Sequence, residues 1–152
     1  MKTNELVKII EELGLEPDFD YERQGEEEYE VLSAYNGGYR VLTVSLDWFG
    51  VWYCIESEFD KLVPNIRHQL LDAFIALAHT PFDERVEGKR YIIPLPNLVT
   101  TDGWQQYLTQ KGKHWFASRR NEELRQTWKE EHLKYVPEPY RGFKVEVEDG
   151  IV

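Results

Sequence analysis

Very little in this chain announces a chemistry. Its 152 residues hold a single cysteine, Cys54, and a single methionine. One thiol cannot close an internal disulfide and is too few for a thiolate metal cage, which points to a reducing compartment. No secretory leader pattern is present, and a cytoplasmic location is expected. No apolar run approaches the roughly 20 residues that span a bilayer. Phosphate-cradling glycine loops, nucleophile elbows, paired metal-ligand motifs and Cys/His clusters are all missing. Motif alone therefore gives no cofactor, no metal and no catalytic residue to expect. Carboxylates are abundant, so an enzyme of unrecognised type stays open as a reading.

What is present is charge and aromatic surface. The chain is 41% hydrophobic and 14% aromatic. Disordered chains lack that aromatic content, so a packed core is expected. The length suits one compact domain over residues 1–152, with 1–85 and 86–152 as candidate subunits. The net charge of −10 is unevenly spread. Residues 1–60 hold 15 acids and 4 bases, residues 61–120 hold 5 acids and 9 bases, and residues 121–152 hold 8 acids and 5 bases. Acidity on this scale keeps a small protein soluble. It also suits an N-terminal part that meets a basic surface on a partner, as a nucleic acid would.

Residues 3–13 read as a helix, because Leu6, Ile9, Ile10 and Leu13 recur at helical spacing and Gly14 stands where a helix stops. The run Glu26-Glu27-Glu28 reads as a loop, since like charges repel. Residues 29–35 and 39–46 are strand-like and flank Asn36-Gly37-Gly38, a tight-hairpin signal. A turn at 47–50 and a third strand at 51–55 follow. Leu62, Val63, Ile66, Leu70, Ala73, Phe74 and Leu77 share one helical face, which predicts a helix over 59–79 with Pro64 in its first turn. Thr80-Pro81 ends it, and Arg85 is placed to reach back to the last helical carbonyls or to Asp83.

The second half is less regular. Residues 89–93 suggest a strand ended by Pro94 and Pro96. Residues 104–109 and 113–118 suggest a hairpin around Gln110-Lys111-Gly112. Asn121 is a good N-cap, and a helix is predicted from there to about Lys134. Residues 143–147 alternate like a last strand. The expected fold class is α+β: antiparallel β-hairpins packed on one long and two shorter helices. A shift of 62 residues also lays Leu46 on Leu108, Gly50 on Gly112, Tyr53 on Trp115 and Leu62 on Leu124. Two similar strand-strand-helix units are therefore a candidate organisation, with residues 44–72 matching 106–134.

Four stretches belong together: MKTNELVKIIEELG at 1–14, LLDAFIALAHTPFDER at 70–85, KRYIIPL at 89–95 and FKVEVED at 143–149. They resemble small proteins encoded by phages and prophages of low-GC Gram-positive bacteria. In these an N-terminal helix leads into a hairpin, a helix ends in a Thr-Pro turn with a downstream Glu-Arg, and a β-containing half follows. The resemblance implies an intracellular phage or prophage protein in the host bacterial cytoplasm, accessory rather than structural. It brings no catalytic residue with it.

Candidate residues fall into four groups. His68, Asp72 and His79 lie on one helical face, but His79 is about 16 Å from His68 by helical rise, too far to share one ion; a solvated face is expected. Cys54 has no cation near it in sequence and reads as a small apolar core residue. Neighbouring strand residues point to opposite faces, so Trp52-Tyr53 and Trp115-Phe116 cannot each enter one core as a pair. The last group is YLTQKGKHWFASRR at 107–120, where Lys111, Lys113, His114, Trp115, Arg119 and Arg120 form the candidate interaction surface. Its composition suits a nucleic-acid contact. Against that stand the acidity of the chain and Glu122, Glu123, Glu130 and Glu131, placed to neutralise Arg119 and Arg120. Binding to a host or phage protein is the leading expectation, and nucleic-acid binding through 107–120 is the alternative.

Overall fold

A computed structural model describes residues 1–85 and 88–147. Glu148 and Asp149 of the FKVEVED stretch lie outside the described residues. Five α-helices, one 3-10 helix and ten strands are present among them, the strands forming three antiparallel sheets, an α+β architecture. Two compact units follow one another, Met1–Thr80 and Pro81–Val152, so the break falls at Thr80-Pro81 rather than after Arg85. The first unit holds sixteen acids against six bases and the second twelve of each, so the whole −10 resides in the first.

The first unit begins with α1 (Thr3–Glu12), which buries Leu6 and Ile10 as the spacing requires. Four strands follow in spatial order: β1 (Glu16–Gln24), β2 (Glu27–Asn36), β3 (Tyr39–Ser45) and β4 (Trp52–Cys54). The β2–β3 turn is Gly37-Gly38, with φ of 58° and 85°, so both central residues take the left-handed conformation of a type I′ hairpin. Of the acidic run expected to be a loop, Glu26 lies in the β1–β2 turn, while Glu27 and Glu28 begin β2, paired with β1. Arg23 stands opposite Glu28, an opposite-charge cross-strand pair that offsets the crowding of the three glutamates.

The predicted helix over 59–79 is two helices, α2 (Glu56–Phe59) and α3 (Pro64–Ala78). Pro64 is the reason: it holds Val63 in an extended conformation and then starts α3 at a position where its missing N–H is harmless. Leu70, Ala73, Phe74 and Leu77 of α3, with Leu6 and Ile10, pack on Leu32, Ala34, Leu42 and Val44, which project from one face of the sheet. Half-buried Cys54 packs against this core, as does Trp52.

The second unit opens with α4 (Phe82–Arg85), where the backbone N–H of Phe82 donates to the Glu122 carbonyl. Its strands are β5 (Arg90–Ile92), β6 (Pro94–Val99), β7 (Gln105–Lys111), β8 (His114–Ser118), β9 (Trp128–Lys129) and β10 (Val145–Val147). They form two sheets, β10-β5-β9 and β6-β7-β8. β5 ends at Ile92, ahead of Pro94 as expected, and Pro94 then opens a further strand, β6, at a sheet edge where proline is tolerated. Tyr91, Ile93, Leu95, Leu108, Trp128, Leu133 and Val136 make the core.

The predicted helix from Asn121 to Lys134 does not form. Asn121 caps one turn, its side chain accepting the Glu123 N–H at 2.9 Å. Then tertiary pairing takes over: the Arg125 carbonyl accepts from the Gln110 N–H at 3.0 Å, and Trp128 pairs with Tyr91 in β9. Only Glu130–Tyr135 is helical, as a 3-10 helix, followed by the short α5 (Glu138–Arg141). The candidate repeat fails with it. Val44 faces Trp52 in the first copy, whereas the positions 62 residues on, Gln106 and His114, are not partners; His114 faces Lys111. Among the described residues no helix is long and apolar enough to cross a membrane.

Candidate functional site

The β7–β8 hairpin turns on Gly112-Lys113, with Gly112 at φ 58°. Pairing across it is Tyr107–Ser118, Leu108–Ala117, Thr109–Phe116, Gln110–Trp115 and Lys111–His114. Partners across a sheet share a face, so Lys111, His114, Thr109, Phe116, Tyr107 and Ser118 lie on one side. Leu108, Gln110, Trp115 and Ala117 lie on the other. Leu108, with Trp115 and Ala117 packed against it, joins the core, and Trp115 stacks on Trp128 with ring centroids 5.9 Å apart. Phe116 stays 39% exposed. The alternation of strand side chains thus separates the two adjacent aromatics, as it separates Trp52 from Tyr53.

The six candidate residues are not one surface. Trp115 is core. Arg120 is half-buried: its guanidinium pairs with Asp83 at 3.2 Å, lies over the Tyr107 ring at 5.8 Å and reaches the Gln126 side-chain oxygen at 3.4 Å. Arg119 is exposed and pairs with Asp102 at 3.3 Å. Neither arginine depends on the glutamates expected to neutralise it, because the helix that would carry them is absent. Lys111, Lys113 and His114 stand exposed together at the hairpin tip. Four residue steps along β8 separate that tip from Ser118, about 13 Å by strand rise.

Gln126, fully buried, organises the base of the hairpin. Its amide nitrogen donates to Thr109 Oγ1 and the Arg119 carbonyl, each at 2.9 Å, and its oxygen accepts the Asn121 N–H at 2.9 Å. Nothing in local sequence pattern marks it.

A second polar cluster, in the first unit, also escaped sequence reasoning. On the sheet face away from α1 and α3, Ser33 and Thr43 share a buried hydrogen bond of 2.8 Å. Glu22 joins this side: Arg40 Nη1 and the Tyr53 hydroxyl both donate to Glu22 Oε1, and the Tyr29 hydroxyl donates to Oε2 at 3.4 Å. Burial pushes the Tyr53 phenol up to about 12, helped by its hydrogen bond to Glu22. Burial and the Glu22 charge raise Tyr29 as well. Both phenols therefore act as hydrogen-bond donors at neutral pH, and Glu22 is fully engaged as their acceptor. The alternation Asp18-Phe19-Asp20-Tyr21-Glu22 is the period-two signal that marks β1 and places Glu22 on this face.

The remaining candidates are dispersed. His68, Asp72 and His79 are exposed on α3 and just past its end, and His79 Nδ1 lies 3.0 Å from the Ile75 carbonyl. Among the described residues no three His, Cys, Asp or Glu side chains are grouped to hold a metal ion. Arg85 is buried, its guanidinium over the Phe82 ring at 4.4 Å. An open groove of about 620 Å³ in the second unit is lined by Lys89, Lys129, Glu130 and Glu131. Compared with models of known protein families, with curated proteins and with solved structures, the chain matches none.

Proposed function

We propose that the protein is an intracellular accessory protein of a phage or prophage, working in the host bacterial cytoplasm by binding another protein. The contact is the tip of the β7–β8 hairpin. One observation supports this reading above the others: Lys111, Lys113 and His114 are exposed together beside Phe116 at the hairpin tip, away from half-buried Trp115 and Arg120. A large aromatic left partly exposed is the kind of side chain that anchors a protein contact.

Direct nucleic-acid binding at the same tip is the second reading, favoured by Phe116 as a stacking surface. Charge decides against it. Two lysines and a histidine neutralise few phosphates, and affinity for nucleic acid depends on how many are neutralised. Tagged protein and its Lys111→Glu/Lys113→Glu variant, used as bait in lysate from phage-infected cells, test the two together. A stoichiometric protein recovered by the parent and lost by the variant is expected. A mobility shift with a single-stranded oligonucleotide at low salt, weakened by the same variant, would instead assign the tip to nucleic acid.

A further inference from the structure

Sheet edges offer rows of backbone N–H and C=O groups to any extended chain, and proteins blunt the edges they do not use. Most edges here are blunted. β1 has Pro17, which lacks an N–H, and its Tyr21 N–H is taken by the Asp20 carboxylate at 2.7 Å. β6 carries Pro94, Pro96 and the left-handed Asn97 at φ 59°. Among the described residues β4, β9 and β10 span only two or three residues each. β8 is the exception: five residues, no proline and no acid.

The direction of its free groups follows from its neighbour. Leu108 and Gln110 of β7 donate away from β8, to the Ile93 and Arg125 carbonyls. Tyr107, Thr109 and Lys111 therefore bond to Ser118, Phe116 and His114, and the N–H and C=O groups of Trp115 and Ala117 point outward. Beyond Ser118, Gln126 takes the Arg119 carbonyl, so the open part is the Trp115–Ala117 stretch. Exposed Phe116 lies beside it, and Lys111, Lys113 and His114 surround its far end.

We propose that β8 is a docking edge on which an extended, acidic-apolar segment of a partner protein adds as a fourth strand, its apolar side chain against Phe116 and its carboxylates toward Lys111, Lys113 and His114. This rests on the protein-binding reading of the same tip. Backbone pairing supplies the attachment and alternate side chains the selectivity. Exposed charges act over about 8 Å at physiological salt, so the cations bordering the edge select the segment.

The test uses the full chain and a blocked heptapeptide alternating glutamate and valine, with a lysine-valine heptapeptide as control. The glutamate peptide is expected to slow amide exchange at Trp115 and Ala117 by about tenfold or more, and the lysine peptide to leave it unchanged. Ala117→Pro removes an outward N–H without touching a bond to β7, and Phe116→Glu leaves the backbone intact while repelling carboxylates; each should abolish the protection. Protection absent at millimolar glutamate peptide, or equal with the lysine peptide, overturns the proposal. A dimer in sedimentation that Ala117→Pro dissociates also overturns it, by giving the edge to a second copy. A lysate partner bound equally by parent, Ala117→Pro and Phe116→Glu would keep the binding reading and remove the edge mechanism. Peptide protection with no lysate partner would do the reverse.

Discussion

The Arg120 guanidinium lies 3.2 Å from the Asp83 carboxylate, a tie between α4 and the end of the β7–β8 hairpin that spans 37 residues of chain. Both side chains are mostly withdrawn from solvent, 20% and 13% exposed, so screening is incomplete. Removing one partner leaves a shielded charge without its counterion. Asp83→Asn should therefore destabilise the second unit by about 1–3 kcal/mol, below the range for fully buried pairs. Faster amide exchange in β7 and β8 would register it. Unchanged exchange would mean that solvent already screens the pair.

Alkaline pH should act on the first unit through Tyr53. Its phenol is raised from 10.0 to about 12 by burial and by Glu22, so folding favours the protonated form. That contribution is present in full below pH 10 and is lost as pH rises through 12. Tyr53→Phe should flatten the alkaline fall in stability of this unit. Glu22→Gln should lower the pH at which Tyr53 ionises, because one cause of the elevation is gone. Ultraviolet titration of the phenolate follows both.

Trp128 separates packing from hydrogen bonding. Its ring is 2% exposed, stacks on Trp115, and its indole N–H is buried without a hydrogen-bond partner among the described residues. Trp128→Ala should cost about 3–5 kcal/mol through the cavity it leaves. Trp128→Phe should cost far less, about 1 kcal/mol, since it also removes an unsatisfied donor. Urea unfolding of the two variants gives the contrast, and equal losses would contradict it.

Gly38 isolates backbone strain. A Cβ there meets nothing within 4 Å, so space is no obstacle, but φ is 85°. Gly38→Ala should cost about 1 kcal/mol from conformation alone. A shifted urea midpoint with an unchanged slope is the expected signature.

Local signals were legible wherever a residue acts on its own neighbours. Leu6 and Ile10 mark α1, Gly37-Gly38 marks the β2–β3 hairpin, and Pro64 marks the start of α3. The β7–β8 hairpin was readable from its glycine turn, and the opposite fates of Trp115 and Phe116 from strand alternation. What failed depended on partners far along the chain. Asn121 carries a genuine cap, yet Gln110 and Tyr91 draw the following residues into pairing and the helix ends after one turn. The basic stretch looked like one surface because sequence does not show that Asp83 and Asp102 claim its two arginines. β1 carries its own period-two signal at Asp18 to Glu22, but its acidic composition, like that of the adjoining run at 26–28, suits a loop as well as an edge strand.

Gln126 has a consequence for how the second unit acquires its shape. The stretch from Arg119 to Thr127 has little regular structure of its own and is held by contacts from other segments: the Gln126 amide to Thr109, seventeen residues earlier, the Gln110 N–H to the Arg125 carbonyl, and the Phe82 N–H to the Glu122 carbonyl. A segment ordered by such a contact has nothing to hold it until the contacting surface exists. The order of this connecting stretch is conditional on the closed hairpin, which supplies Thr109 and Gln110 to it. The shape of the segment that leads to Trp128 is thus borrowed from the hairpin it rests on.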